Sequence, residues 1–303
     1  MLQYLTSSED NTIIDAGQLT QSGWVRSERP TDDEKAILIE LGIDSDILAD
    51  ALDPHEVPRV ELEDGWTYFI TRLPDTDDEF NDFTTPILFA LGKDATVTVS
   101  RDSLGRLWQP FIDKTTIDTK QQTTLLMLMI DSIIVQYQRR VATINRQMRA
   151  ATSDVSNLGA KDIATLSEYE RKLNDYLDAI IPTNTAVEKL LSGKLLRLRE
   201  DDKDMVEDLS IDLEQLIARC KSLLRTITNV RDSYRAVMDT KLNETIRLLT
   251  VITLALTIPT MLAGLFGMNV PVPFSESGEA FWGIVAISVL CALVFSFYFL
   301  RKR

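Results

Sequence analysis

Residues 248–275 read LLTVITLALTIPTMLAGLFGMNVPVPFS, without a charged side chain. Leu248–Met268 supplies about 20 mostly apolar positions, enough α-helix at about 1.5 Å per residue to cross about 30 Å of hydrocarbon. A second uncharged run of about the same length, Phe281–Leu300, follows the short connection Asn269–Ala280. The chain is therefore expected to close in a transmembrane hairpin with a large water-soluble part ahead of it. Arg301, Lys302 and Arg303 follow the second run, whereas the connection carries Glu276 and Glu279 and no Lys or Arg. The positive-inside rule puts the basic tail in the cytoplasm, the acidic turn outside, and the N-terminal part in the cytoplasm as well. The opening MLQYLTSSED has neither the basic flank nor the apolar core of a signal peptide.

The first run is not uniformly apolar. Thr250, Thr253, Thr257, Thr260, Gly264 and Gly267 recur at alternating steps of three and four, so they share one helix face, and the stripe extends back to Ile246 and Asn243. A lipid-facing helix has no use for such a face. It suits a pore lined by several copies of the helix, where hydroxyl oxygens without fixed charge meet a hydrated cation. Small-residue stripes also serve helix–helix packing in membranes, so both readings stand on spacing alone.

The run ends in Phe266-Gly267-Met268-Asn269. Here the chain resembles the CorA-type divalent cation (magnesium) transporter family, whose signature is Gly-Met-Asn after an aromatic residue at the outer end of the penultimate membrane helix. Two C-terminal spans, a short acidic outer loop, a basic end and a long acidic leading part are the context that makes the three-residue match specific. Asp53-Pro54-His55-Glu56-Val57-Pro58-Arg59-Val60-Glu61 is similar to the corresponding stretch of the family's cytoplasmic domain.

The resemblance implies an α/β cytoplasmic domain plus a long helical stalk and two C-terminal transmembrane helices, assembled as a funnel-shaped homopentamer in the plasma membrane. Mg2+ is then the transported ion and a regulatory ligand. Gly267, Met268 and Asn269 would form the outer selectivity site, with Asn269 holding the ion through its water shell. Thr260 matches a threonine ring below it, Asn243 a polar ring at the cytoplasmic end, and Ile246 and Leu249 a hydrophobic constriction that gates by dewetting. Thr250, Thr253, Thr257 and Gly264 complete the pore lining. Two departures bear on pore width: Thr257 stands where an apolar ring is common, and Pro259 lies one place later than the family's proline. Zn2+, Co2+ or Ni2+ transport, in the first case with proton coupling, keeps the same fold. A membrane-anchored sensor without conduction is the reading from another class.

The remaining chain fits this organisation. The formal net charge is −14, which argues against nucleic acid, and no phosphate-binding loop for ATP is present. His55 is the single histidine and reads as a surface or hydrogen-bonded side chain, and Cys220 and Cys291 are isolated. No nucleophile motif or metal cluster points to an enzyme. Thr31-Asp32-Asp33-Glu34 is a capping box opening a helix that Gly42 ends, and a short helix is predicted over Ser45–Leu52. Strands are predicted over Arg59–Glu63 and Trp66–Leu73 about an Asp64-Gly65 turn, and over Pro86–Leu91 and Thr96–Ser100.

The loop from Pro74 to Asp82 is densely acidic. It is a solvated turn or, by the resemblance, part of an intersubunit Mg2+ sensor using Asp75, Asp77, Asp78 or Asp82 with a stalk carboxylate at or near Asp208. Glu276 and Glu279 would attract cations outside. Helical patterns run over 118–155 and to about Arg199, with a kink expected at Pro182 and a polar corner at Glu200–Asp204. Val206, Leu209, Leu213, Leu216, Cys220, Leu223, Ile227, Val230, Tyr234 and Val237 then form a heptad seam, facing either partner copies or the chain's own helical pair. The expected divisions are an α/β domain over 1–112, an antiparallel helical pair over 113–203, a stalk helix over 204–247, a pore-lining span over 248–268, an outer loop over 269–280, a second span over 281–300 and a basic tail over 301–303.

Overall fold

A computed structural model describes residues 1–20, 22–76, 82–114, 116–152, 158–269 and 278–301. The chain divides into two compact units, Met1–Val230 and Arg231–Arg303.

The first unit is built on a seven-stranded sheet in the order β2-β1-β3-β7-β6-β5-β4. The strands are β1 (Leu2–Ser7), β2 (Ile13–Asp15), β3 (Gly23–Glu28), β4 (Arg59–Glu63), β5 (Trp66–Thr76), β6 (Asp82–Leu91) and β7 (Ala95–Ser100). β3 and β7 run parallel and all other neighbours antiparallel. Both faces are covered, which is why β6 reads as a continuous apolar run. Ile87, Phe89 and Leu91 enter the core on one face. Leu88 and Ala90 enter a second core on the other, with Leu38 of α1 (Asp32–Glu40) and Ile47 and Leu48 of α2 (Ser45–Asp50).

The first core is closed by α3 (Gly105–Lys114), α4 (Gln122–Ala151), α5 (Ala160–Leu191) and the leading part of α6 (Glu200–Phe266). Tyr137 meets Tyr176, and further along α4 Arg140 shares the Asp82 carboxylate with Lys172, earlier on α5. Advancing along α4 thus means retreating along α5, so the two helices run antiparallel.

Local chemistry accounts for the expected elements. Thr31 accepts from the Glu34 amide at 3.3 Å, and the Glu34 carboxylate accepts from the Thr31 amide at 3.0 Å. Asp64 and Gly65 both have positive φ, 47° and 84°, the two-residue turn whose twist matches an antiparallel hairpin.

Several boundaries differ from the sequence expectation. β1, β2, β3 and α3 are additional elements. β5 and β6 continue past Pro74 and Pro86, pairing Arg72 with Pro86 and Pro74 with Thr84. Proline is tolerated there because β4 pairs with β5 only as far as Ile70, and β7 meets β6 only from Ile87 on. α2 stops at Asp50 and α5 at Leu191.

The polar corner at Glu200–Asp204 is the first turn of α6. Its Asp202, 1 % exposed, acts as a cap. One carboxylate oxygen accepts from the Arg199 amide at 3.1 Å and from the Arg199 guanidinium Nε at 3.0 Å, and the other from the Thr124 hydroxyl at 2.9 Å. The seam from Val206 to Ile227 is buried in the chain's own core, so the intrachain alternative holds for that segment.

Asp202 carries a stability prediction. Burial pushes its pKa up, but the hydrogen bonds from the Arg199 side chain and amide and from Thr124 outweigh it and hold the carboxyl below its usual value. The contribution is therefore complete above about pH 4 and is lost as pH falls through the lowered value. Asp202→Ala should cost about 2 kcal/mol at neutral pH through the lost cap and the loss of the acceptor for the Thr124 hydroxyl hydrogen. Thermal unfolding at pH 7 and pH 3 checks it: the difference between variant and wild type should shrink at the lower pH.

Candidate functional site

The second unit contains the rest of α6 and α7 (Gly278–Arg301, 24 residues). Among the described residues, α6 is the one helix with a stretch long and apolar enough to cross a membrane, with a mean hydropathy of 2.0 over 18 residues. Within that stretch Val251, Leu254, Ala255, Ile258, Pro259 and Leu262 are covered or partly covered, and their spacing makes them one face. On α7 the partly covered positions Ile284, Ser288 and Cys291 also share a face.

The polar stripe lies on the exposed side of α6. Asn243, Ile246, Leu249, Thr250, Thr253, Thr257, Thr260 and Gly264 are all exposed in the single chain. Each threonine hydroxyl donates to the carbonyl four residues back: Thr250 to Ile246 at 2.8 Å, Thr253 to Leu249 at 2.8 Å, Thr257 to Thr253 at 2.7 Å and Thr260 to Leu256 at 2.8 Å. The hydroxyl hydrogens are thus spent on the helix, and the oxygen lone pairs remain as acceptors. A hydrated cation presents water hydrogens outward, so a ladder of acceptors can hold its water shell without stripping it. Anions meet no free donor from these hydroxyls.

α6 ends at Phe266. The Gly267 amide closes the helix on the Ala263 carbonyl at 3.0 Å, and the Met268 amide lies 3.4 Å from the Leu265 carbonyl. A Cβ on Gly267 would come within 3.3 Å of the Ala263 carbonyl oxygen, crowding the last turn. Met268 and Asn269 follow it, both exposed.

The sequence profile described as "CorA-like Mg2+ transporter protein" matches residues 20–303. The chain belongs to this family. Its members are membrane-embedded ion transporters and not enzymes. A cobalt/magnesium transport protein CorA of Methanocaldococcus jannaschii is 24% identical over 293 residues, covering 92% of this chain and 90% of that relative. The corresponding protein of Thermotoga maritima is 19% identical over 273 residues, 86% of this chain and 77% of that one. In fold, the complete CorA magnesium transporter structure from M. jannaschii superimposes with a TM-score of 0.86 at 19% identity, over 100% of this chain and 98% of that chain. The cytoplasmic domain of ZntB from Vibrio parahaemolyticus gives 0.66 at 13% identity, over 78% and 98%.

The remaining residues that the family resemblance singles out are dispersed. Asp75 sits near the end of β5, its carboxylate accepting from the Thr76 amide at 2.8 Å, and Asp82 opens β6 opposite Thr76. Asp208 is exposed on α6, and Glu279 is exposed in the first turn of α7. Asp77, Asp78 and Glu276 lie outside the described residues, as do Lys302 and Arg303 of the basic tail. No group of three or more His, Cys, Asp or Glu is placed to hold a metal among the described residues.

Both oxygens of Asp82 are engaged, one by Arg140 and the other by Lys172 at 3.0 Å. Those partners come from distant helices, and no local pattern in the sequence announces them.

Proposed function

We propose that this chain forms a homopentamer in the plasma membrane that admits Mg2+ passively through a central path lined by five α6 helices. The observation that carries this reading is the exposed threonine ladder with its hydrogens turned into the helix. α7 is the second span, and both termini lie in the cytoplasm. Asn269 with Gly267 and Met268 forms the outer site, Ile246 and Leu249 the constriction, and Glu276 and Glu279 concentrate cations outside. The membrane potential supplies about 4.6 kcal/mol per 100 mV for a divalent ion, enough for uptake without ATP.

Cytoplasmic Mg2+ regulates the pore at carboxylates between neighbouring copies, with Asp208 on the stalk opposite hairpin acids such as Asp75, Asp77 and Asp78. Asp82 is set apart from that group by its ion pairs.

The two CorA relatives named for cobalt as well as magnesium favour Co2+ as a second substrate. Proton-coupled Zn2+ transport is less well supported, because Leu248–Phe266 has no titratable side chain to carry a proton. Proteoliposomes with a negative-inside potential, a Mg2+ dye and a pH dye test the reading. Mg2+ and Co2+ should enter without a pH change. Zn2+ entry with a pH change, or no ion movement in folded protein, would replace it by the proton-coupled transporter or by the non-conducting sensor.

A further inference from the structure

The projecting end of the β5–β6 hairpin is fastened to α4 and α5 by charges that the transport path does not use. From Thr71 onward β5 has no β4 neighbour, and before Ile87 β6 has no β7 neighbour. The two strands continue as a ribbon to the pair Thr76–Asp82. A two-stranded ribbon is marginal in water by itself, so its position has to come from other contacts.

Near the sheet the ribbon is held by buried Leu73, by Arg72 donating to the Pro54 and Glu56 carbonyls, and by Thr85 donating to Asp102; at its projecting end the contacts converge on Asp82. One of its carboxylate oxygens accepts from the Arg140 guanidinium and from the Thr76 hydroxyl at 3.2 Å, and the other lies 3.0 Å from the Lys172 ammonium. Arg140 also donates to the Asp75 carbonyl at 3.2 Å and to the Thr76 hydroxyl at 2.9 Å. One turn earlier, the Tyr137 hydroxyl donates to the Arg72 carbonyl at 3.1 Å. The side chains of Asp82 and Lys172 are 23 % and 12 % exposed, so the pair is screened less than an ordinary surface ion pair. Lys172 is also bound by Glu168 at 2.8 Å. A divalent cation approaching Asp82 would have to displace both an arginine and a lysine of its own sign.

We infer that Asp82, Arg140 and Lys172 form an electrostatic latch that straps the hairpin to the helix pair, so that sheet and helices move together, with Asp82 a positioning residue and not a cation ligand. The latch assigns opposite charges the same job, and this separates it from a metal site. Hydrogen exchange on the full-length protein in detergent, with and without millimolar Mg2+, tests it in Asp82→Asn and in the double variant Arg140→Gln/Lys172→Gln.

Both variants should speed exchange at 75–76 and 82–83 about tenfold or more, independently of Mg2+, while β3 and β7 keep wild-type protection. Asp82→Glu and Arg140→Lys, which keep the charges, should retain most of the protection. They also give a readable result if a charge-removing variant unfolds. Unchanged exchange in both charge-removing variants would overturn the latch. Opposite responses would make Asp82 a cation ligand instead: Mg2+-dependent protection lost in Asp82→Asn and strengthened in the double variant. The measurement needs no ion movement, so its outcome is independent of the proposed transport function.

Discussion

Asn269→Ala is expected to reduce potential-driven Mg2+ entry into proteoliposomes by roughly ten- to a hundredfold, the range for losing a group that contacts a metal through its outer shell. Asn269 is exposed directly beyond the last turn of α6, where Gly267 lets the chain leave the helix without crowding the Ala263 carbonyl. Its amide oxygen is the acceptor that can take hydrogen bonds from the ion's water shell, and its length sets how far the group reaches over the helix end. Alanine removes the acceptor and leaves the backbone free to keep its shape. The threonine ladder below would be intact, since its hydroxyls are fixed by the helix itself.

The variant should therefore assemble and span the membrane as before and fail at ion entry. Asn269→Gln keeps the amide but displaces it by one methylene, so an intermediate rate is expected. Met268→Leu, similar in volume and without a comparable acceptor, should change the rate little. Wild-type flux in Asn269→Ala would remove the outer site from the proposed mechanism and move selection down to Thr260 and Thr257.

How far the sequence could be read depended on where the deciding contacts lie. The span of α6, its polar face, the capping box at Thr31 and the Asp64-Gly65 turn are set by residues within one or two turns of each other, and they are visible as spacing. β3 was hidden because Gly23-Trp24-Val25-Arg26-Ser27-Glu28 carries two charges in a strand that is almost wholly buried. Arg26 and Glu28, two apart on the same face, form an ion pair with each other, and Ser103 donates to Glu28 at 2.9 Å. α3 was hidden by Gly105 at its start and Pro110 inside it. The extension of β5 and β6 was hidden by Pro74 and Pro86, which are tolerated where the neighbouring strands have ended. The seam of α6 was visible, but the choice between own-chain and partner packing needed the tertiary fold. Asp82 looked like one more acid in an acidic turn because Arg140 and Lys172 reach it from distant helices.

Trp24 shows what such a hidden strand contributes. Its side chain is fully buried, and its indole N–H donates to the Thr98 hydroxyl of β7 at 2.9 Å. Trp108 packs edge-on against it with ring centroids 5.2 Å apart, and Phe111 does the same at 6.1 Å. β3 is thereby tied both to its parallel neighbour and to α3, which itself has poor helix signals. Trp24→Ala should remove the largest apolar surface at this junction, open a cavity that the surrounding rings cannot fill, and leave the buried Thr98 hydroxyl without its donor.

The cavity and transfer terms amount to about 3–5 kcal/mol, and the orphaned acceptor adds about 1 kcal/mol. For a unit of this size that corresponds to a fall in melting temperature of about 10–15 °C. Trp24→Phe keeps most of the ring packing and loses the hydrogen bond, so its loss should be less than half as large. Thr98→Val is the converse case: it leaves the indole N–H unpaired in the core and should cost about 1–3 kcal/mol. Thermal unfolding of the three variants, followed by circular dichroism, gives the order Trp24→Ala well below Thr98→Val and Trp24→Phe. An equal loss in Trp24→Ala and Trp24→Phe would mean that the hydrogen bond, and not the packing of the rings, holds β3 to the sheet and to α3.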